Sequence, residues 1–157
     1  MKAPDLGFSA KQMEYPDLPV TNGESFWPDL NVGEFKRSRS LPPSIPDETL
    51  GQALLATMAE LNKVLAPTAE HWKARSIKTA NDAPGGKMGN ESQLTAQYKK
   101  AAYARAKADL IGEFAIVGRR DSHPTQGSDE TPQRLLAEAS NVIRNMLDLP
   151  RVGVHSL

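Results

Sequence analysis

Apolar residues recur with helical spacing over three stretches of this 157-residue chain, with prolines and polar loops between them. Leu50, Leu54, Met58, Leu61 and Leu65 stand three or four residues apart, which aligns them on one stripe of a helix predicted from Ser44 to Leu65. Ser44 is its expected N-cap, with Asp47 three residues on and Pro46 in the first turn, where a missing N–H does no harm. Pro67 breaks or kinks this helix, and Thr68 to Ile77 is expected to continue it as a second piece carrying Trp72. The loop Asn81 to Gly89 is dense in residues that punctuate regular structure, and Asn90-Glu91-Ser92-Gln93 then offers a cap-like start to a long helix running toward Gly118. Leu94, Tyr98, Ala101, Ala102, Arg105, Ala108, Ile111, Gly112 and Ala115 follow at helical spacing. Most of that face is small, so another helix can approach closely; Leu94, Tyr98, Ile111, Phe114 and Ile116 are expected to supply its bulk. A third break, Asp121 to Asp129, leads to Thr131 as N-cap and Pro132 at the first helical position. Leu135, Leu136, Ala139, Val142, Ile143, Met146 and Leu147 form the last stripe, and Pro150 stops it.

The ends follow another rule. Seven of the 12 prolines fall within the first 46 residues, each fixing φ and removing a donor, so residues 1–43 read as an extended arm. Phe8, Tyr15, Phe26, Trp27 and Phe35 make it costly to leave in water. For a lone subunit the simpler expectation is that these rings pack back on their own helical body; the alternative is an arm that clips a neighbouring subunit. Residues 150–157 alternate like a strand at Val152, Val154 and Leu157, but are too short to form a sheet alone, leaving a frayed terminus or an addition to another chain's edge or crevice. The fold class expected is all-α: a small bundle of three to four helices over 44–149, with a long extended N-terminal arm and a short extended C-terminal one.

Lys and Arg balance Asp and Glu at 19 each, so no global field favours a polyanion. The balance is local, however: between Lys63 and Arg120 eleven basic residues face five acidic ones. Lys99, Lys100, Arg105 and Lys107 lie there on the long helix, either as a solvated face or as a surface near passing DNA with weak, salt-sensitive contact. The absence of cysteine removes disulfide frameworks, thiolate catalysis and cysteine metal sites. The opening segment breaks at Pro4 and Asp5 where a signal peptide needs an unbroken apolar run, and no stretch approaches 18 apolar residues, so a protein neither exported by that route nor inserted in a membrane is expected. Gly86-Lys87 is followed by Met88, and Asn81 stands where a phosphate loop needs its first glycine. His71, His123 and His155 are too far apart for a helical zinc pair, and the adjacent Asp121-Ser122-His123 reads as turn chemistry rather than a triad. No catalytic, cofactor or metal site is expected.

The order of the features carries more than any one of them. A proline-rich amino segment with Phe26-Trp27-Pro28-Asp29-Leu30, a Ser44-led first helix, a long alanine-rich helix from Glu91-Ser92, a polar loop, a last amphipathic helix and a Pro150-Arg151-Val152 tail succeed one another. Over residues 24–157 this resembles the head completion/stabilisation proteins of P2-like tailed bacteriophages, the head-tail connectors or neck adaptors. Pro67 departs from that pattern, which continues its first helix. The resemblance implies a helical adaptor without a catalytic site or cofactor, made in the host cytoplasm and assembled as a ring of twelve copies on the portal protein at the virion neck after DNA packaging. It extends the DNA channel and receives a downstream neck or tail-completion protein, meeting packaged DNA only by weak proximity. By the same resemblance, Pro150, Arg151, Val152, Gly153, Val154, His155, Ser156 and Leu157 are candidates for portal contact, and Phe26, Trp27, Pro28, Asp29 and Leu30 for clasping a neighbouring subunit.

Overall fold

A computed structural model of the chain describes residues 14–117 and 130–148, with side chains described to Glu113 in the first stretch. Phe8, Phe114, Ile116 and the tail Pro150 to Leu157 lie outside what is described.

The first departure is in the proline-rich segment. Its prolines cluster at 16–28 and 42–46, and the free stretch between them folds. Strand β1 (Pro19–Val20) pairs antiparallel with β2 (Leu30–Asn31), in the register Pro19 to Asn31 and Val20 to Leu30. Helix α1 (Val32–Ser38) follows at once, because the Asn31 side chain accepts from the N–H groups of Gly33 (2.9 Å) and Glu34 (3.2 Å). Glu34 in its first turn and Lys36 and Arg37 in its last suit the helix dipole. Residues 14–43 are therefore a folded strap and not an extended arm, with Val20, Phe26, Trp27, Leu30, Val32, Phe35 and Leu41 all in the core.

Helix α2 (Asp47–Val64) begins three residues after the expected cap. Ile45 N–H donates to the Pro42 carbonyl in a turn, which leaves Ser44 exposed; Pro46 is the N-cap, and Asp47 and Glu48 favour the first turn by charge alone. Lys36, buried, reaches Asp47 at 2.6 Å and ties α1 to that turn. Leu50, Leu54, Met58, Leu61 and Leu65 are buried as their spacing requires. Pro67 sits in the first turn of α3 (Ala66–Lys73), where its missing donor costs nothing, so the chain restarts without a loop. The helix stops at Lys73 rather than Ile77 because Ser76 takes the left-handed conformation (φ 64°) and Ile77 N–H closes back on the Trp72 carbonyl at 3.1 Å. Serine is strained there, so Ser76→Gly is expected to raise stability by about 0.5 to 1 kcal/mol in thermal or urea unfolding.

After a 3-10 turn (Ala80–Asp82), strands β3 (Lys87–Met88) and β4 (Glu91–Ser92) form a hairpin closed by Gly89 and Asn90. Ser92 Oγ accepts from Thr95 N–H and donates to the Ala80 carbonyl, so it both caps α4 (Gln93–Val117) and pins it to that turn. Along α4, Ala101, Ala102, Ala104, Ala106 and Ala108 are buried, and α5 (Pro132–Met146) packs on them through Leu135, Ala139 and Ile143. The expected small-residue approach is realised. Thr131 Oγ accepts from Arg134 N–H as the predicted cap, while Leu136, placed on the apolar stripe by sequence, is 43% exposed. The class is thus mainly helical, with five α-helices and two two-stranded sheets among the described residues, rather than a purely α bundle of three or four helices.

Candidate functional site

Two tyrosines of α4 hold the strap. Tyr98, fully buried, accepts from Asn22 Nδ2 (2.9 Å) and donates to Asn62 Oδ1 (2.8 Å), and Asn62 Nδ2 donates back to Asn22 Oδ1 (2.8 Å). This closed ring of three side chains joins the strap, α2 and α4. Trp27 stacks on the Tyr98 ring at 4.8 Å and 13°, and Phe26 meets Trp27 edge-on. One and a half turns on, Tyr103 donates to Glu34 Oε2 (3.0 Å), accepts from Asn31 N–H (3.2 Å) and stacks on Phe35.

Burial pushes the Tyr98 phenol up to about 12 from 10.0, partly countered by the Asn22 hydrogen bond. Burial and the neighbouring Glu34 charge push Tyr103 up as well. Above pH 10 an unfolded tyrosine releases its proton while the folded one keeps it until about 12, so stability falls as pH rises across that window. Tyr98→Phe leaves Asn22 and Asn62 without their shared partner and is expected to cost about 2 kcal/mol in urea unfolding at neutral pH. It should also lessen the alkaline fall, the Tyr103 share remaining.

The sequence-derived site residues divide. Phe26, Trp27 and Leu30, expected to clasp a neighbour, are at most 3% exposed and belong to their own core, which corrects that expectation: burying them against α4 needs no second chain. Pro28 is half-buried and Asp29 exposed. With Ser25, Asn81 and Asn90 they edge an open cleft of about 820 Å³ floored by Phe26 and Trp27. Trp27 Nε1 is buried there with no hydrogen-bond partner among the described residues.

The four cations considered for DNA do not form a free basic face. Lys99 bridges Glu34 (3.1 Å) and Glu91 (2.7 Å); burial alone would lower its pKa, but these hydrogen bonds outweigh it and hold the ammonium charged. Arg105 pairs with Glu60 at 2.6 Å. Lys107 is buried, ion-paired with Glu130 and donating to the Arg39 carbonyl at 2.8 Å. Of these four, Lys100 alone is exposed with no ion pair among the described residues. Its neighbour Glu138 is held below the usual carboxylate range, chiefly by the Arg39 side chain, which grips it at 2.7 Å. Charges already neutralised within the fold release no counterions from a polyanion, so the DNA-facing surface is not supported.

Among the described residues no group of three His, Asp or Glu side chains could hold a metal, and no helix is long and apolar enough to cross a membrane.

The family model described as Phage head completion protein (GPL) matches residues 20–157, from β1 through the last residue. The probable head completion/stabilization protein of Haemophilus phage HP1 (strain HP1c1) is 32% identical over 147 residues, covering 94% of this chain and 97% of that protein. No solved structure matches. The match includes the strap, the five helices and the tail, in the order that the sequence set out, and this chain belongs to the phage head completion protein family.

Proposed function

We propose that the protein is a structural component of the virion neck, without catalytic activity. It binds the portal as a ring of twelve copies after DNA packaging, extends the channel and offers a docking surface to the next neck or tail protein. The observation that carries this reading is the family match over residues 20–157, which runs past the folded body into the tail. Helix α5 closes at Met146, whose carbonyl accepts from Thr68 Oγ1 at 3.1 Å. In this reading Pro150 to Leu157 enters a portal crevice, where the strand-like alternation of Val152 and Val154 suits cover by, and main-chain pairing with, the other chain. Repetition around a ring multiplies modest contacts through effective concentration, so a short tail suffices.

Deleting Arg151 to Leu157 tests this. The expected result is an unchanged melting temperature, loss of binding to purified portal, and packaged heads that fail to become infectious particles. Unaltered portal binding and particle yield would remove the tail from the proposal.

A further inference from the structure

The β3–β4 hairpin displays an apolar side chain that the fold itself does not use. Met88 is 80% exposed, although the hairpin is held firmly: Asn81 Nδ2 donates to the Asn90 carbonyl (2.8 Å), Asn81 Oδ1 accepts from Ser92 N–H (2.8 Å) and Gln93 N–H donates to the Gly86 carbonyl (2.8 Å). An ordered hairpin that presents a methionine to solvent has the preorganised form of a contact residue. The cross-strand neighbour of Met88, Glu91, is held by Lys99, and the nearby Asp82 accepts from the Thr79 hydroxyl, while two lysines are free among the described residues. Lys87 precedes Met88 and Lys78 precedes the 3-10 turn to which the hairpin is bonded; both are exposed and make no ion pair among the described residues.

A complementary surface lies elsewhere on the same chain. The outer face of α2 carries Leu55, 54% exposed, with Ala56 and Ala59 exposed beside it. Along the seam with α4 this strip is rimmed by Glu60, Asp109 and Glu113, all exposed, with Arg105 paired to Glu60 and Lys63 one turn beyond Ala59. Burial and the repulsion of Glu60 and Glu113 raise the Asp109 pKa despite Arg105, which marks the rim as short of positive charge.

One chain cannot bring the two surfaces together. Helices α2 and α4 run antiparallel, since Asn62 meets Tyr98 while Glu60 meets Arg105. The α2 strip therefore lies beside the C-terminal half of α4, whereas the hairpin leads into its first residue. From Ser92 to Glu113 a helix advances about 30 Å. We propose that copies of this chain join head to tail, the Met88 and Lys87 hairpin of one seated on the Leu55 strip and acidic rim of the next. Such a contact uses two different patches, so it repeats from subunit to subunit and closes into a ring where the rotation allows. It names the subunit contact of the ring proposed above and rests on that reading.

The chain has no cysteine, so a crosslink can be directed to the contact without background. Asn90→Cys beside the hairpin tip and Ala56→Cys on the α2 strip both alter exposed positions and leave Met88, Lys87 and Leu55 in place. With a short bis-maleimide, the full-length double variant is expected to give a ladder of covalent oligomers in portal-loaded heads, the two single variants mixed to give dimers, and each single variant alone to stay monomeric. Adding Lys87→Glu should remove the ladder, and adding Glu113→Lys to that should restore it. A self-crosslink of either single variant, an Asn90→Cys adduct with portal instead of with another copy, or a ladder indifferent to Lys87→Glu would each overturn the contact. Portal binding is scored separately by co-sedimentation. Bound portal without a ladder sinks this contact and leaves the adaptor reading standing; a ladder formed by the purified protein that does not co-sediment with portal does the reverse.

Discussion

Trp27→Ala is expected to lower the free energy of unfolding by about 3 to 5 kcal/mol, read from the urea midpoint at constant slope. The indole is 3% exposed, stacks on Tyr98 and meets Phe26 edge-on, so truncation empties a large volume between the strap and α4. The cavity cannot close cheaply. Its walls are the Asn22, Asn62 and Tyr98 hydrogen-bond ring on one side and the Ala80 N–H bond to the Phe26 carbonyl (2.7 Å) on the other, and each would break to let the walls move. A domain of this size holds about 5 to 15 kcal/mol in all, so the variant should also accumulate poorly in infected cells. A loss below about 1 kcal/mol would show that the ring is not in this core, and would reopen the possibility that it serves a neighbouring subunit.

Gly33→Ala should cost about 3 kcal/mol, at or above the top of the range for overpacking. A Cβ at Gly33 would lie 2.0 Å from the Pro16 carbonyl oxygen and 3.0 Å from its carbon. Both are backbone atoms, so no side-chain rotation relieves the clash; either the segment 14–20 of the strap lifts off α1 or α1 shifts on α4. Lifting the strap exposes the Val32 N–H and Leu18 carbonyl, which now pair at 2.9 Å. A variant that shifts would show loss of protease resistance first in residues 14–20. Unfolding at the wild-type urea concentration would mean that the strap does not approach α1 so closely. Of the glycines near regular elements, this is the one whose missing side chain the packing demands.

The helical body was legible from spacing. Leu50, Leu54, Met58 and Leu61 of α2, Leu65 at its end, and Ala101, Ala102 and Ala108 of α4 are buried as predicted, and the Thr131 cap and the Ser92 start are where the chain chemistry put them. The strap was misread because proline was counted over 46 residues as if it were evenly spread. Between Pro28 and Pro42 there is none, and Asn31 as cap, Val32 and Phe35 three apart, Glu34 early and Lys36 late together spell a short helix. A local count would have found α1. The candidate site was legible in part: Phe26 to Leu30 stands out in the sequence, but its clasping role came from the resemblance, and Phe26, Trp27 and Leu30 are buried in their own core. For residues 14–43, the rings pack on their own helical body, as the simpler expectation had it, and Phe26, Trp27 and Phe35 are buried without a second chain.

What the amino-acid order determined by itself was where helices start, stop and turn an apolar side inward, because capping, proline placement and side-chain period act within a few residues. Which charges remain free, and which aromatic rings face outward, was decided only in three dimensions. Lys99 meets Glu34 across 65 positions and Asn22 meets Tyr98 across 76. Pairings at that separation depend on how elements pack, and the packing neutralised most of a basic helix and made the helical body, not a neighbouring subunit, the cover for Phe26, Trp27 and Phe35.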